Sequence, residues 1–164
     1  MRFGSAIVAL LLILTAGSLA GCSEDRGPAV AQDIAFRGDG VLDFLRPDST
    51  VITRIAIEIA DSDSAQVRGL MDRRSLPERG GMLFYYDDVS PRSFWMRSTP
   101  LPLDILFIGA DGTVVNVVER TTPYSDERIN SEGPVQHVLE VRAGFTARHQ
   151  IGPGTVIRWR RTES

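Results

Sequence analysis

The chain has 164 residues, 21 acidic and 18 basic side chains, and a net charge of −3. That length allows one domain burying roughly two-thirds of its unfolded surface, and the mild acidity implies no polyanion partner, so nucleic acid is not expected. All the basic residues are Arg; without Lys there is no Schiff base and no phosphate-loop lysine, and no glycine-rich phosphate loop or Gly-x-Ser-x-Gly elbow occurs.

The first residues follow the plan of an export signal. Arg2 supplies a positive start, Ile7 to Leu14 an apolar run, and Ala16, Gly17, Ser18, Ala20 and Gly21 a small-residue approach to Cys22. The apolar run is shorter than the roughly 20 residues a membrane-spanning helix needs. Leu19-Ala20-Gly21-Cys22 resembles the lipobox of bacterial lipoproteins. The resemblance implies removal of residues 1–21, lipid on Cys22, and anchoring by two or more acyl chains. Ser23 after the cysteine implies, by the same resemblance, an outer-membrane location facing the periplasm where the organism has two membranes. Residues 22–32 read as the lipidated N-terminus and a flexible polar tether, and residues 33–164 as a single β-rich domain. Cys22 is the only cysteine. Once lipidated it leaves no disulfide, thiol nucleophile or thiolate zinc site.

Beyond the tether the pattern is mostly of period two, which predicts strands. Val41–Leu45 is a short strand, and Pro47-Asp48-Ser49 a turn. Val51–Ala60 alternates, with Val51, Thr53, Ile55, Ile57 and Ile59 on one face and Arg54 and Glu58 on a half-solvated one. Asp61 and Asp63 offer N-caps for a short helix reaching Leu70, with Ala65, Leu70 and Met71 inward. Pro77 breaks the loop from Arg73 to Gly80. Met82–Tyr86 and Ser93–Arg97 read as two strands separated by a turn at Asp87-Asp88-Val89-Ser90-Pro91. Asp104–Ile108 is an apolar strand, joined by a Gly109–Gly112 hairpin turn to Thr113–Glu119. After a polar loop come a strand at Gln136–Arg142, one or two helical turns over Ala143–His149, and a last strand at Thr155–Arg160. The expected fold is mainly β: an antiparallel β-sandwich or partly open barrel with one or two short helices.

Three segments carry a family resemblance. They are Arg68-Gly69-Leu70-Met71 with Gly81-Met82-Leu83-Phe84; Ser93-Phe94-Trp95-Met96-Arg97-Ser98-Thr99 through Leu103-Asp104-Ile105; and Val138-Leu139-Glu140-Val141 with Ala143-Gly144. In order and spacing they resemble domain of unknown function family 192, over most of Ile55 to Val156. The resemblance implies a compact mainly-β domain and brings no established activity. The family's usual Lys-Asn-Thr is Arg97-Ser98-Thr99 here, which keeps the charge but changes its geometry and removes an amide.

As a strand, Phe94–Arg97 puts Phe94 and Met96 on one face, and Trp95, Arg97 and Thr99 on the other. If the first pair is core, Trp95 and Arg97, with Arg68 nearby, form a candidate ligand platform: the ring stacks on a sugar and the guanidinium holds a carboxylate or hydroxyl. The structural reading buries Trp95 and leaves Arg97 snorkelling. Asp104, at the head of an apolar strand, requires an Arg, with Arg68 and Arg97 as candidates, or a set of backbone N–H groups. Its favoured role is a structural pair or cap at the Pro-rich corner. Glu140 sits among apolar neighbours, and with Asp104 would form a carboxylate pair of the kind used in glycoside hydrolysis if the two meet. His137 and His149 lie in different predicted elements and make no metal site. Asp61, Asp63, Asp87 and Asp88 read as caps and turns. No cofactor is expected.

Three functions follow, in order of preference. The first is a non-catalytic binding or accessory module, lipid-anchored to the envelope, whose ligand is a glycan or another envelope protein. The second is a carbohydrate-acting hydrolase or lyase using Asp104 and Glu140. The third is a structural or assembly protein. The candidate ligand-binding residues are Arg68, Trp95, Arg97, Thr99, Asp104 and Glu140.

Overall fold

Seven strands and two short helices make up the computed structural model, which describes residues 34–163. In chain order they are β1 (Gly40–Leu45), β2 (Val51–Ala60), α1 (Asp63–Arg68), β3 (Gly80–Phe94), β4 (Leu103–Ile108), β5 (Val114–Val118), β6 (Ile129–Arg142), α2 (Phe145–His149) and β7 (Val156–Arg161). The strands form one sheet in the order β5-β4-β6-β3-β2-β1-β7, curled into a half-barrel. The expected partly open barrel is therefore what forms. All pairings are antiparallel except β2 with β3, which run parallel and are joined through α1 and residues 69–79. The expected lipid site, signal and tether lie outside the described residues. Among the described residues no helix is long and apolar enough to cross a membrane.

One edge of the sheet reaches round toward the other. Thr113 bridges to Val156, the Val114 amide donates to the Thr155 carbonyl at 2.8 Å, and the Ile157 amide to the Gly112 carbonyl at 2.8 Å. Gly112 has φ +82, and a Cβ there would lie 2.7 Å from the Ile157 carbonyl oxygen. The β4–β5 turn docks on β7 only because this position is glycine.

The curl gives the sheet two apolar faces. Inside it, Leu42, Phe44, Ile55, Ile57, Ile59, Leu83, Leu106, Leu139, Val141 and Ile157 pack together under Phe145 of α2. Outside it, Met82, Phe84, Leu103, Ile105, Phe107 and Val138 pack under Leu70, Leu76 and Met96 from the covering segments. Alternation along β4 serves both faces, and all six of its residues are buried. That is why its sequence is a nearly unbroken apolar run.

Several expectations need correction. Asp87 to Pro91 does not turn the chain: β3 runs unbroken from Gly80 to Phe94, and the turn-forming residues fall where its register with β6 shifts, between Tyr85 and Ser90. Such residues also suit an irregular stretch of strand. Consequently β3 ends at Phe94, the Trp95–Arg97 stretch is not strand, and the supposed polar loop before Gln136 is the first half of β6. The N-cap of α1 is Ser62, whose Oγ accepts from the Ala65 amide, rather than either aspartate.

Glu58 is not half-solvated. It is fully buried on the outer face, where Oε2 accepts from Arg73 Nη2 at 2.5 Å and Oε1 from the Arg37 amide at 2.6 Å. Arg73, itself buried, also donates to the Ile34 carbonyl. The pair pins the chain before β1 and the segment after α1 to β2. Removing one partner strands a buried charge, at a cost of about 3–5 kcal/mol. Glu58→Gln is expected to lower the unfolding free energy by that order in urea denaturation. Replacing Glu58 and Arg73 together with Met should recover most of the loss; equal losses in the single and double variants would show that the pair is not coupled.

Candidate functional site

The outer face of the sheet carries an open cleft of about 190 Å³. Its walls come from three places. Gln66 to Met71 belong to α1 and the turn after it, Phe84, Tyr86, Ser93 and Phe94 to β3, and Trp95, Thr99 and Arg128 to the loops beyond. Glu140 of β6 lies at its base, the sheet side of the cleft.

Local hydrogen bonds fix these walls. Gln66 Nε2 donates to the Tyr85 carbonyl at 2.7 Å and so ties α1 to β3. The Asp72 amide donates to the Ser98 carbonyl, the Met96 amide to the Ser125 carbonyl and the Tyr124 amide to the Thr99 carbonyl. Three chain segments far apart in sequence are thereby knitted into one rim. Gly69 ends α1 with φ +47, and a Cβ there would stand 3.1 Å from the Phe84 ring. Its lack of a side chain lets the helix end settle close to the sheet.

Glu140 is the chemically unusual group. It faces Met82 across β3 and Ile105 across β4, and it is 5% exposed. Its Oε2 has no hydrogen-bond partner. Burial pushes its pKa up to about 8 from an ordinary 4.5, so it is a neutral carboxylic acid at pH 7. Tyr86, also lining the cleft, has its hydroxyl pKa raised, chiefly by burial. The Arg92 guanidinium lies over the Tyr86 ring at 3.7 Å.

Trp95 is half-buried and is neither core nor bare platform. The guanidinium of Arg97 lies 4.2 Å from its ring centroid and that of Arg128 4.4 Å. The ring is thus already engaged by the protein's own cations. Arg97 is exposed and also donates to Asp126 at 2.6 Å. Arg68, on the cleft wall, pairs loosely with Asp72 at 3.6 Å. Among the described residues no carboxylate lies within ion-pair distance of Arg128.

Of the six residues expected to bind ligand, Arg68, Trp95, Thr99 and Glu140 line the cleft, and Arg97 touches Trp95 from its edge. Asp104 does not belong. In β4 it stands opposite Val141, next to the Ile105–Glu140 pair, so its side chain points to the other face of the sheet. Neither Arg68 nor Arg97 is its partner. Its Oδ1 accepts from the amides of Arg120 (2.9 Å) and Gly144 (3.1 Å), and its Oδ2 from the Thr146 amide (3.0 Å) and hydroxyl (2.7 Å). It is the structural anchor of the corner, built from the alternative set of backbone N–H groups. The carboxylate pair needed for glycoside hydrolysis does not form, since its members lie on opposite faces.

Sequence reasoning missed Arg128, Tyr86 and Gln66. Arg128 lies in a polar loop 33 positions from Trp95, and nothing local connects the two. Tyr86 ends a predicted strand, and its spacing from Phe84 places it on the same face. His137 lies within β6, its ring 5.3 Å from Tyr85 and 6.4 Å from Trp159. Its Nδ1 is unpartnered and burial lowers its pKa, so it stays neutral at pH 7. His149 packs on Phe145 at 4.5 Å. Among the described residues no group of His, Cys, Asp or Glu could hold a metal ion.

A family profile for DUF192, described as "Uncharacterized ACR", matches residues 45–159. The chain belongs to the DUF192 family. Two solved structures resemble this member closely. One is a protein of Sinorhizobium meliloti 1021, provisionally described as a transcription regulator. It is 32% identical with a TM-score of 0.71, and the match covers 77% of this chain and 97% of that one. The other is a protein of unknown function from Novosphingobium aromaticivorans DSM 12444. It is 33% identical with a TM-score of 0.68, and the match covers 73% and 84% of the two chains. No curated protein matches.

The buried acid makes a pH prediction. In the unfolded chain a glutamate ionises above about 4.5, whereas Glu140 in the folded domain does so only above about 8. Between those values the folded state holds a proton that the unfolded state has lost, so the contribution of Glu140 to stability falls as pH rises; His137, whose pKa burial lowers from 6.5, acts in the opposite sense below that value and is common to both proteins compared. The slope is up to about 1.4 kcal/mol per pH unit for one group. The lowered pKa values of Asp43, Asp48, Asp88 and Asp111, which come mainly from hydrogen bonds to their carboxylates, act below this window. Glu140→Gln is expected to gain stability over the wild type steadily between pH 5 and pH 8 in urea denaturation. Parallel pH profiles for the two proteins would show that Glu140 is ionised and paired.

Proposed function

We propose that this DUF192 domain is a non-catalytic ligand-binding module of the cell envelope, tethered to a membrane by lipid at Cys22, and that the cleft over Glu140 receives a glycan. One observation carries the reading: a buried carboxyl with an unpartnered oxygen forms the base of an open cleft. Leaving such an oxygen unsatisfied costs about 1–3 kcal/mol, and a ligand that hydrogen-bonds to it recovers that cost. The aromatic and arginine rim of Trp95, Arg97, Arg128 and Arg68 supplies further contacts. The separation of Asp104 from Glu140 across the sheet favours binding over hydrolysis.

The description of the Sinorhizobium protein as a transcription regulator is the alternative to weigh. In this chain the net charge of −3 and helices of six and five residues give it little support, because reading DNA by a helix needs a basic surface and an element long enough to enter the major groove.

Binding is testable by calorimetric titration of the full chain, in a detergent without a sugar headgroup, with soluble peptidoglycan fragments and neutral oligosaccharides. Saturable binding to a glycan is expected, weakened at least tenfold by Trp95→Ala with little change in unfolding temperature. Wild-type affinity in that variant would remove the cleft from consideration. The anchor has its own test. In a bacterial host the full chain should incorporate a labelled fatty acid and fractionate with membranes, while Cys22→Ser should do neither; label retained in that variant would refute lipidation at Cys22.

A further inference from the structure

Resting on that reading of the cleft, we infer that its ligand is an acidic sugar, a single pyranose bearing a carboxylate. In this arrangement Arg128, supported by Arg68, holds the carboxylate, and the Glu140 carboxyl donates to a ring substituent. Size comes first. A volume of about 190 Å³ is below the roughly 300–1,000 Å³ typical of sites for drug-sized molecules, so it suits one sugar residue and not an extended chain.

Charge comes second. The groups facing Glu140 around the cleft are Arg68 from the end of α1, Tyr86 from β3 with Arg92 over its ring, and Arg128 from the loop before β6. Opposite it on β4 stands Ile105, which carries no charge. His137 and Asp104 belong to the other side of the sheet. With Glu140 protonated, the charged groups lining the cleft are cations. Arg68 is only loosely paired, and Arg128 has no acid partner among the described residues. A guanidinium resting on an indole is held in place while its N–H edge stays free, which suits a carboxylate.

Polarity comes third. A neutral carboxylic acid both donates and accepts, as a sugar hydroxyl or N-acetyl carbonyl requires. Two guanidinium groups already lie over Trp95. Its main role is therefore to orient Arg128 rather than to stack on the sugar, which favours an anionic ligand over a neutral one.

The experiment compares D-glucuronate with D-glucose, which share a ring and differ in the carboxylate. Each is titrated calorimetrically into the full chain in the same detergent at pH 6.5. Glucuronate is expected to bind at least tenfold more tightly than glucose. Arg128→Met should abolish that preference, and Arg128→Lys should restore part of it. Because Arg128 is exposed, neither change should shift the unfolding temperature. Wild-type affinity should fall between pH 7 and pH 9 as Glu140 ionises, while Glu140→Gln should bind at pH 6.5 and lose this pH dependence. Equal or tighter binding of glucose overturns the acidic-sugar inference and leaves the glycan reading standing. Binding of neither monosaccharide overturns the inference, and the oligosaccharide titrations then decide the wider reading. An undiminished glucuronate preference in Arg128→Met overturns the assigned anchor.

Discussion

Strand β6 has to satisfy two cores at once. It pairs with β3 on one side and β4 on the other, so it cannot move without both neighbours. Its alternation sends Leu139 and Val141 into the half-barrel and Val138 and Glu140 to the outer face. A one-residue slip would exchange these faces, putting a carboxyl among the aliphatic side chains around Phe145. The register of β6 therefore determines that the one buried acid with an unsatisfied oxygen among the described residues lies under the cleft. The rim built by α1, the end of β3 and the loop through Arg128 is arranged around that position.

The protein's treatment of its other buried carboxylates shows that Glu140 is no accident of crowding. Glu58 meets a guanidinium and a backbone amide. Asp104 gathers three amides and a hydroxyl. Both are side chains within the fold's interior, and both are satisfied by groups from segments the chain must in any case bring together. Arg68 and Arg128 line the same cleft as Glu140, yet neither is a partner of its Oε2. A purely structural position would be more stable as Gln or as an aliphatic residue. Among the buried carboxylates of the described residues, the unmet hydrogen bond thus falls at the cleft.

Much of this was legible in the sequence because alternation is a local signal. The bounds of β2 and the apolar run of β4 followed from it. Four of the six candidate ligand residues, all drawn from the segments resembling DUF192, line the cleft. Legibility failed where tertiary context overrode local chemistry. Asp87 to Pro91 has the composition of a turn, but the long ladder with β6 keeps it extended. Glu58 looked solvated because its partner, Arg73, lies beyond a helix and a turn. The parallel pairing of β2 with β3 is likewise invisible in period-two patterns, which carry no information about strand direction. The sequence marks Asp104 as costly to bury unpaired and offers Glu140 as its partner in a carboxylate pair. Only the register between β4 and β6 shows that they face apart.

The separation of Asp104 from Glu140 also bears on the proposed binding role of the cleft. General acid catalysis by a group of pKa near 8 needs a second group to complete the proton transfer or stabilise the charge that develops. Around Glu140 the second groups are guanidinium ions and a phenol whose own pKa is raised. Guanidinium stays protonated at physiological pH and cannot act as a base, and a phenol shifted further upward stays neutral there. Such groups stabilise an anion that is already present. The guanidinium groups hold their charge across the pH range in which Glu140 changes its own. The cleft thus combines a fixed positive rim with a base that stays neutral up to about pH 8, a combination that lowers the cost of desolvating a carboxylate without offering a route for its protons.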